Sequence, residues 1–528
     1  ATIAVDHAEA SGSFTAATPG NISTGLNSII TGGDIVINAG GLVNLGNSSA
    51  GGLIDITAGQ IDYASLLAAG SIALLVQNTP TGQGNGNIAG GDTTATAGAI
   101  AATTGFGSII LTGTTNAATT LTVNAAGPAS IGTAVSGGST SITGASVTLN
   151  TGTIGGTLAL NATAGDVDGT GTVLVGGGID LDATGNIGFG ELAAEGGAFT
   201  VDAGGNISFT SATGSGDMAL TAGGAIAGGA ATAASSLALS ATGLVDLDSV
   251  TSGEGLFVTA GGGIIITNVT GGTVALDSGT AGMLLDGITG LSSIDLTGGA
   301  INFASAAGGT VAITGTTVEF GTISGSDVDI ISNGAIRFER IDATGNADID
   351  SNFGVLAGGT LAAAGAVRIT ANRDVTFGSV SGGANVNIAL TGNSDLTADR
   401  ISSGTNVRAT LQGGVFVADS VSAAKTGQGS VFIRAGDGID LRNVSGNRAT
   451  LQAFNGLLNV RNNVDVTDIL LADGAAVSVV TQQDMTVSSV ANSGDIFLSS
   501  AGNLDVQGAR ATGDIRISVG GSVAINDT

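Results

Sequence analysis

Cysteine and tryptophan are absent from this chain of 528 residues, proline occurs only three times, and tyrosine, histidine and lysine occur once each, as Tyr63, His7 and Lys425. Without cysteine there is no disulfide staple and no thiolate metal site. The absence also suits a protein exported unfolded, where thiols would mispair. Three prolines and no Gly-X-Y period exclude collagen and proline-rich disorder. No apolar run approaches about 18 residues, so no membrane span is expected. Basic residues are missing from most of the chain: residues 1–336 carry 23 acids and no base, whereas residues 337–528 carry 18 acids and 13 bases. A surface this acidic repels nucleic-acid phosphates and anionic membrane faces. It would instead attract divalent cations, basic proteins or the basic part of a neighbouring copy.

What is present is glycine, 93 residues of it, between short apolar runs, in a chain whose 42% hydrophobic content is too high for disorder. The runs alternate apolar-polar-apolar, as in Ile35-Val36-Ile37 and Val328-Asp329-Ile330, which is a strand signal. They also recur. Val245, Leu247 and Val250 are followed nineteen residues on by Ile264, Ile266 and Val269, and nineteen further by Met283, Leu285 and Ile288. Between them falls a second pair: Leu237 and Leu239, Leu256 and Val258, Val274 and Leu276. The single apolar position continues through Ala306, Ile323, Ile341, Leu361, Val380, Ile401, Val421 and Val444, in steps of 17 to 23.

Such a period predicts an all-β solenoid: a right-handed parallel β-helix with three short strands per coil and a repeat of about 19 residues. About 27 coils at a strand spacing of about 4.8 Å would extend on the order of 130 Å. Glycine suits corners that need positive φ or tight turns. Phe303, Phe320, Phe338 and Phe377 share one inward column, which marks them as core. An irregular segment is expected over residues 1–33, and a continuous β-helix over residues 34–528, with insertions near 78–98, 422–430 and 461–475.

At this level the chain resembles a known family. Lines such as Gly33-Asp34-Ile35-Val36-Ile37-Asn38-Ala39-Gly40-Gly41 and Gly204-Gly205-Asn206-Ile207-Ser208-Phe209 are similar to the repeats of filamentous-haemagglutinin-type adhesins, the exoproteins of bacterial two-partner secretion, and of autotransporter passengers. The resemblance implies a secreted or surface-attached structural protein of a Gram-negative bacterium, an adhesin or fibre subunit meeting a host or cell-surface glycan or protein. The alternative is a secreted β-helical passenger that binds or cleaves polysaccharide, with residues 78–98 as its site.

Chemistry has few places to sit. Catalysis is not expected, since the Asp pairs flank inward residues and so lie together on flat, exposed faces, poor places to raise a carboxylate pKa. No cofactor is required. Calcium is the one candidate ion, at Asp246, Asp248, Asp329 and Asp348, because Asp329 and Asp348 fall at one outward position in adjacent coils, where like charges repel unless a cation or base intervenes. Arg368 follows one coil later, and Glu319 and Arg337 form a similar neighbouring pair. Outward apolar residues, Phe257, Ile265, Leu284, Phe416, Phe432 and Phe497, are candidates for contact between copies. Residues 522–526 run in phase with the repeat, and no capping helix is legible at either end, so end-to-end self-association is also expected.

Overall fold

The computed structural model describes residues 2–24, 28–77, 85–491 and 493–526. It divides into two units, Ala1–Gly271 and Gly272–Thr528. Each unit is a parallel β-solenoid in which strands stack on their counterparts about one repeat away. No helix occurs among the described residues.

In the first unit a coil consists of a five-residue strand, a glycine-containing turn and an eight-residue strand. Phe199–Ala203 and Ile207–Gly214 are followed by Met218–Ala222 and Ile226–Ala233, then by Leu237–Ala241 and Val245–Ser252. The pairing is in register throughout, with Phe199 over Met218 and Leu237, and Ile207 over Ile226 and Val245. The longer strand holds two of the three expected strands, joined by a bend. In Val245–Ser252, Val245, Leu247, Val250 and Ser252 are buried, while Asp248 and Ser249 both face outward and turn the corner. The first coils show the parts separately: Leu42–Ala50 pairs with both Asn21–Ser23 and Ile29–Thr31. Each large aliphatic side chain buried in this way contributes about 1.5–3 kcal/mol, and the single apolar column from Val250 to Val444 is buried in both units.

The second unit repeats the scheme, with Val328–Ser332, Ile336–Ala343, Ala347–Ser351 and Leu356–Ala363 as successive elements. Its phenylalanine column forms a ladder. Phe303 and Phe320 stack at 5.1 Å and 3°, Phe320 and Phe338 at 5.4 Å and 6°. The next coil offers Gly358, and Phe338 tilts across it to meet Phe377 at 6.1 Å and 50°.

Three expectations about boundaries change. The described part of residues 1–33 already stacks: Thr2–Ala4 pairs with Asn21–Ser23, Ala8–Ala10 with Ile29–Thr31, and Phe14–Thr18 with Ile35–Ala39. These strands use Ala, Glu and Thr at positions that are at most half-buried, so their alternation is weak in the sequence. Within residues 78–98, Ile88–Ala95 is a strand that pairs in register with Gln60–Ala68 and, with a shift between Gly90 and Thr93, with Ile109–Ala117, while residues 78–84 lie outside the described residues. The phase was hidden by Gly90, where an apolar side chain is expected. A Cβ there would stand 2.0 Å from Cζ of Tyr63; the Tyr63 ring of the preceding coil fills the space. Residues 423–429 do leave the strands, and Lys425 bonds Asp465 from there. Residues 461–475, by contrast, are largely strand, and the register shifts between Ala453 and Leu457 where Arg448–Val466 pairs with Leu470–Thr481.

Candidate functional site

Most turn glycines are required by space between coils. Positive φ is confined to seven glycines among the described residues. At Gly204 a Cβ would lie 2.3 Å from the carbonyl oxygen of Thr184, and at Gly223 one would lie 2.2 Å from that of Gly204. The turns therefore stack backbone on backbone, and the Gly223 N–H donates to the Ala203 carbonyl at 2.8 Å.

Beside this glycine column runs a polar ladder that the sequence did not reveal as such. The N–H of Asn186 donates to Asp166 Oδ1, that of Asn206 to Asn186 Oδ1, and that of Ala225 to Asn206 Oδ1, at 2.6, 2.8 and 2.7 Å. In the second unit Asp327 and Asn346 accept in the same way, as do Asp374 and Asp395, and Asp484 and Asn503. Part of the chain's acidity is thus structural, because these carboxylates accept backbone N–H groups from the next coil. Asn206→Ala is expected to lower the stability of the first unit by about 1 kcal/mol, measured as a shift in the denaturant midpoint.

The predicted carboxylates lie on outward faces. Asp329 and Asp348 are register partners, and Arg368 stands over Asp348, with Nη1 3.5 Å from its Oδ2. The Asp348 carboxyl is pushed up by partial burial, lowered by Arg368, and raised again by Asp329 and Asp350. A carboxyl whose folded pKa is raised binds its proton more tightly in the folded state, so its contribution to stability falls as pH rises through the carboxylate range and returns on acidification. Asp329→Asn removes one repelling charge, and the Asp348 titration, followed by NMR, is expected to move to lower pH. Asp246 and Asp248 face outward two residues apart beside Ala227 and Ile265. No group of three or more His, Asp or Glu side chains able to hold a metal forms among the described residues.

The apolar candidates separate. Phe257 and Ile265 are exposed in the first unit, Leu284 and Phe497 in the second. Phe257 folds back so that its ring covers Gly255. Phe416 is a correction: it is 0% exposed and pairs with Leu396 and Ile439, both buried. The flanking coils set the register: Phe416 continues the inward column of Leu396 and Ile439, and Val415 and Val417 on either side of it are half-buried. Phe432 is half-buried beneath Arg408, whose Cζ lies 5.4 Å from the ring centroid. Phe497 belongs to the column of Ser478, Asn459 and Asp440 rather than to that of Phe432.

In each unit a groove lies at the bend of the long strands. In the first, a groove of about 550 Å³ is lined by Asn44, Asp62, Tyr63, Gly90, Gly91 and Ile110 among others. The Tyr63 hydroxyl and Thr93 Oγ1 share a hydrogen bond of 2.7 Å, and burial pushes the phenol far above its ordinary range. In the second, a groove of about 490 Å³ is lined by Asn302, Phe320, Glu319, Arg337, Phe338 and Gly358 among others. The equivalence has one cause. Where an inward aromatic is followed by glycine one coil later, as at Tyr63 and Gly90 or Phe338 and Gly358, the ring leans over the glycine. Glycines at the bend, Gly46, Gly91, Gly321 and Gly359, leave the outer surface there without side chains. Glu319 and Arg337 are register partners at the rim.

No protein-family model, curated protein or solved structure matches this chain.

Proposed function

We propose that the chain is the repeat-built structural part of an extracellular surface protein of a Gram-negative bacterium, acting as an adhesin or fibre subunit. The observation that carries this reading is the column geometry. Inward positions are used by in-register stacking, so each unit presents outward residues in parallel files that repeat every coil. A surface of that kind gains avidity by multiplying weak contacts. The likeness of the glycine-rich repeats to those of filamentous-haemagglutinin-type adhesins supports the same reading.

A distributed surface should tolerate loss of one coil. Deleting residues 207–225 brings Ile226 to the place of Ile207, its register partner. Beads coated with this variant are expected to adhere to bacterial or epithelial cells nearly as well as beads coated with the intact chain. Complete loss of adhesion in a variant that still unfolds cooperatively would locate binding in one coil and sink the distributed reading. No adhesion by the intact chain, together with no fibres by electron microscopy over a concentration series, would remove the proposal.

A further inference from the structure

The charge of the short-strand face reverses within the second unit. Asp329, Asp348 and Asp350 occupy its outward positions over two coils. From Val367–Ala371 to the start of Arg448–Val466 the pattern changes. The outward residues of this face are Arg368, Thr370, Asn387, Ala389, Arg408 and Thr410, then Phe432, Arg434, Thr450 and Gln452. Arg448 stands exposed at the edge of the last coil. Across the first four of these strands and residues 448–453 of the fifth, the outward positions hold four arginines and no carboxylate. Asp348, paired with Arg368, closes the stripe on one side, and Asp473, in register with Gln452, closes it on the other. The carboxylates in the turns that follow these strands, Asp374, Asp395 and Asp437, accept backbone N–H groups. In a protein of net charge −28, a carboxylate-free cationic face needs a reason.

Two of these arginines are held in place by rings. Arg408 lies over Phe432, and Arg434 over Phe454 with Cζ 4.5 Å from the centroid. Neither makes an ion pair among the described residues. A ring beneath a guanidinium restrains it without using its N–H donors, which stay free for a carboxylate fork. Arg434 and Phe454, with Thr410, Leu411 and Gln412, line a groove of about 420 Å³.

We propose that this face binds a carboxylate-bearing polysaccharide, a uronate polymer, laid along the coil axis. Each phenyl ring already carries an arginine on one face, so the rings serve as supports for guanidinium groups and are poor stacking platforms for nucleic-acid bases. Spacing separates a glycan from an acidic peptide. Arg368 and Arg408 are in one column two coils apart, which is about 10 Å at the strand spacing. An extended peptide presents same-side carboxylates every about 7 Å, whereas the two-sugar repeat of an extended uronate chain is close to the larger interval. The inference adds a ligand class and a site to the surface-protein reading, on which it rests only for where the polymer is met.

Polygalacturonate binding to the purified full chain, followed by calorimetry at low and high salt, tests it. The expected result is salt-sensitive binding that weakens by at least about tenfold in the double variant Arg408→Gln/Arg434→Gln. It should be unchanged in Arg340→Gln, whose arginine lies on another face and pairs with Asp342. Unchanged melting of both variants would show that neither result reflects unfolding. Absence of binding, equal binding by the double variant, or equally tight binding of polyglutamate or single-stranded DNA would overturn the proposal. A chain that binds polygalacturonate yet adheres to no cell would keep this inference and lose the adhesin reading.

Discussion

Phe320→Ala is expected to destabilise the second unit by about 3–5 kcal/mol, among the largest effects of any single truncation. Phe320 is 4% exposed and sits between two near-parallel rings, Phe303 and Phe338. Removing it leaves a ring-sized void and breaks both stacked pairs. Relaxation offers little relief, because the flanking rings belong to strands pinned by ladder hydrogen bonds at about 4.8 Å. A solenoid's stability is a sum of coil and neighbour terms, so the loss should be local. Hydrogen exchange should accelerate first in the coils of Ile301, Val318 and Ile336, while the first unit keeps its protection. Denaturant unfolding measures the total. A decrease below about 1 kcal/mol would mean that the ladder repacks and that its stacking contributes little.

That ladder was legible in the sequence because phenylalanine repeats at the coil period, and so was most of the core. Alternation and period together define which residues point inward, and the single apolar position after each bend needs no more than counting. The expectation failed where the local pattern leaves the phase open. Phe416, flanked by Val415 and Val417, is inward because Leu396 and Ile439 of the neighbouring coils set its register, and Gly90 hides a strand whose missing side chain is supplied by Tyr63 of the coil before it. Both depend on the neighbouring coil, which linear reading does not place. The acid-free arginine face was invisible for the same reason. Arg368, Arg408 and Arg434 are separated in the chain by acids such as Asp374, Asp395 and Asp419, which the fold sends to turns and to the other faces. The Asx ladder had a partial signal, the recurrent Gly-Asn and Gly-Asp, as at Gly165-Asp166, Gly185-Asn186, Gly205-Asn206 and Gly345-Asn346. Its purpose appears only when Asn206 is found accepting from the next coil.

Gly223→Val is the second substitution expected to act strongly, at about 3 kcal/mol. The glycine is not held at positive φ, so backbone strain is not the cause. A Cβ would stand 2.2 Å from the carbonyl oxygen of Gly204 and 3.0 Å from its carbonyl carbon. Neither atom can withdraw, since both lie in the turn stack, where Gly223 N–H bonds Ala203 and Gly224 N–H bonds Gly205, each at 2.8 Å. Relief requires the two coils to separate at this corner, and the strands on either side, Phe199–Ala203 and Met218–Ala222, would lose their closest hydrogen bonds. Gly105→Ala is the control, because a Cβ there meets nothing within 4 Å and its φ is not positive. It should change stability by less than about 0.5 kcal/mol, or raise it slightly by restricting the unfolded chain. Thermal unfolding of the two variants beside the unaltered chain gives the comparison. Equal effects would mean that glycine serves these turns through chain flexibility alone. A large difference would assign its role to the close approach of one coil to the next, and would predict that other turn glycines resist substitution according to the distance their Cβ would have from the carbonyl of the preceding coil.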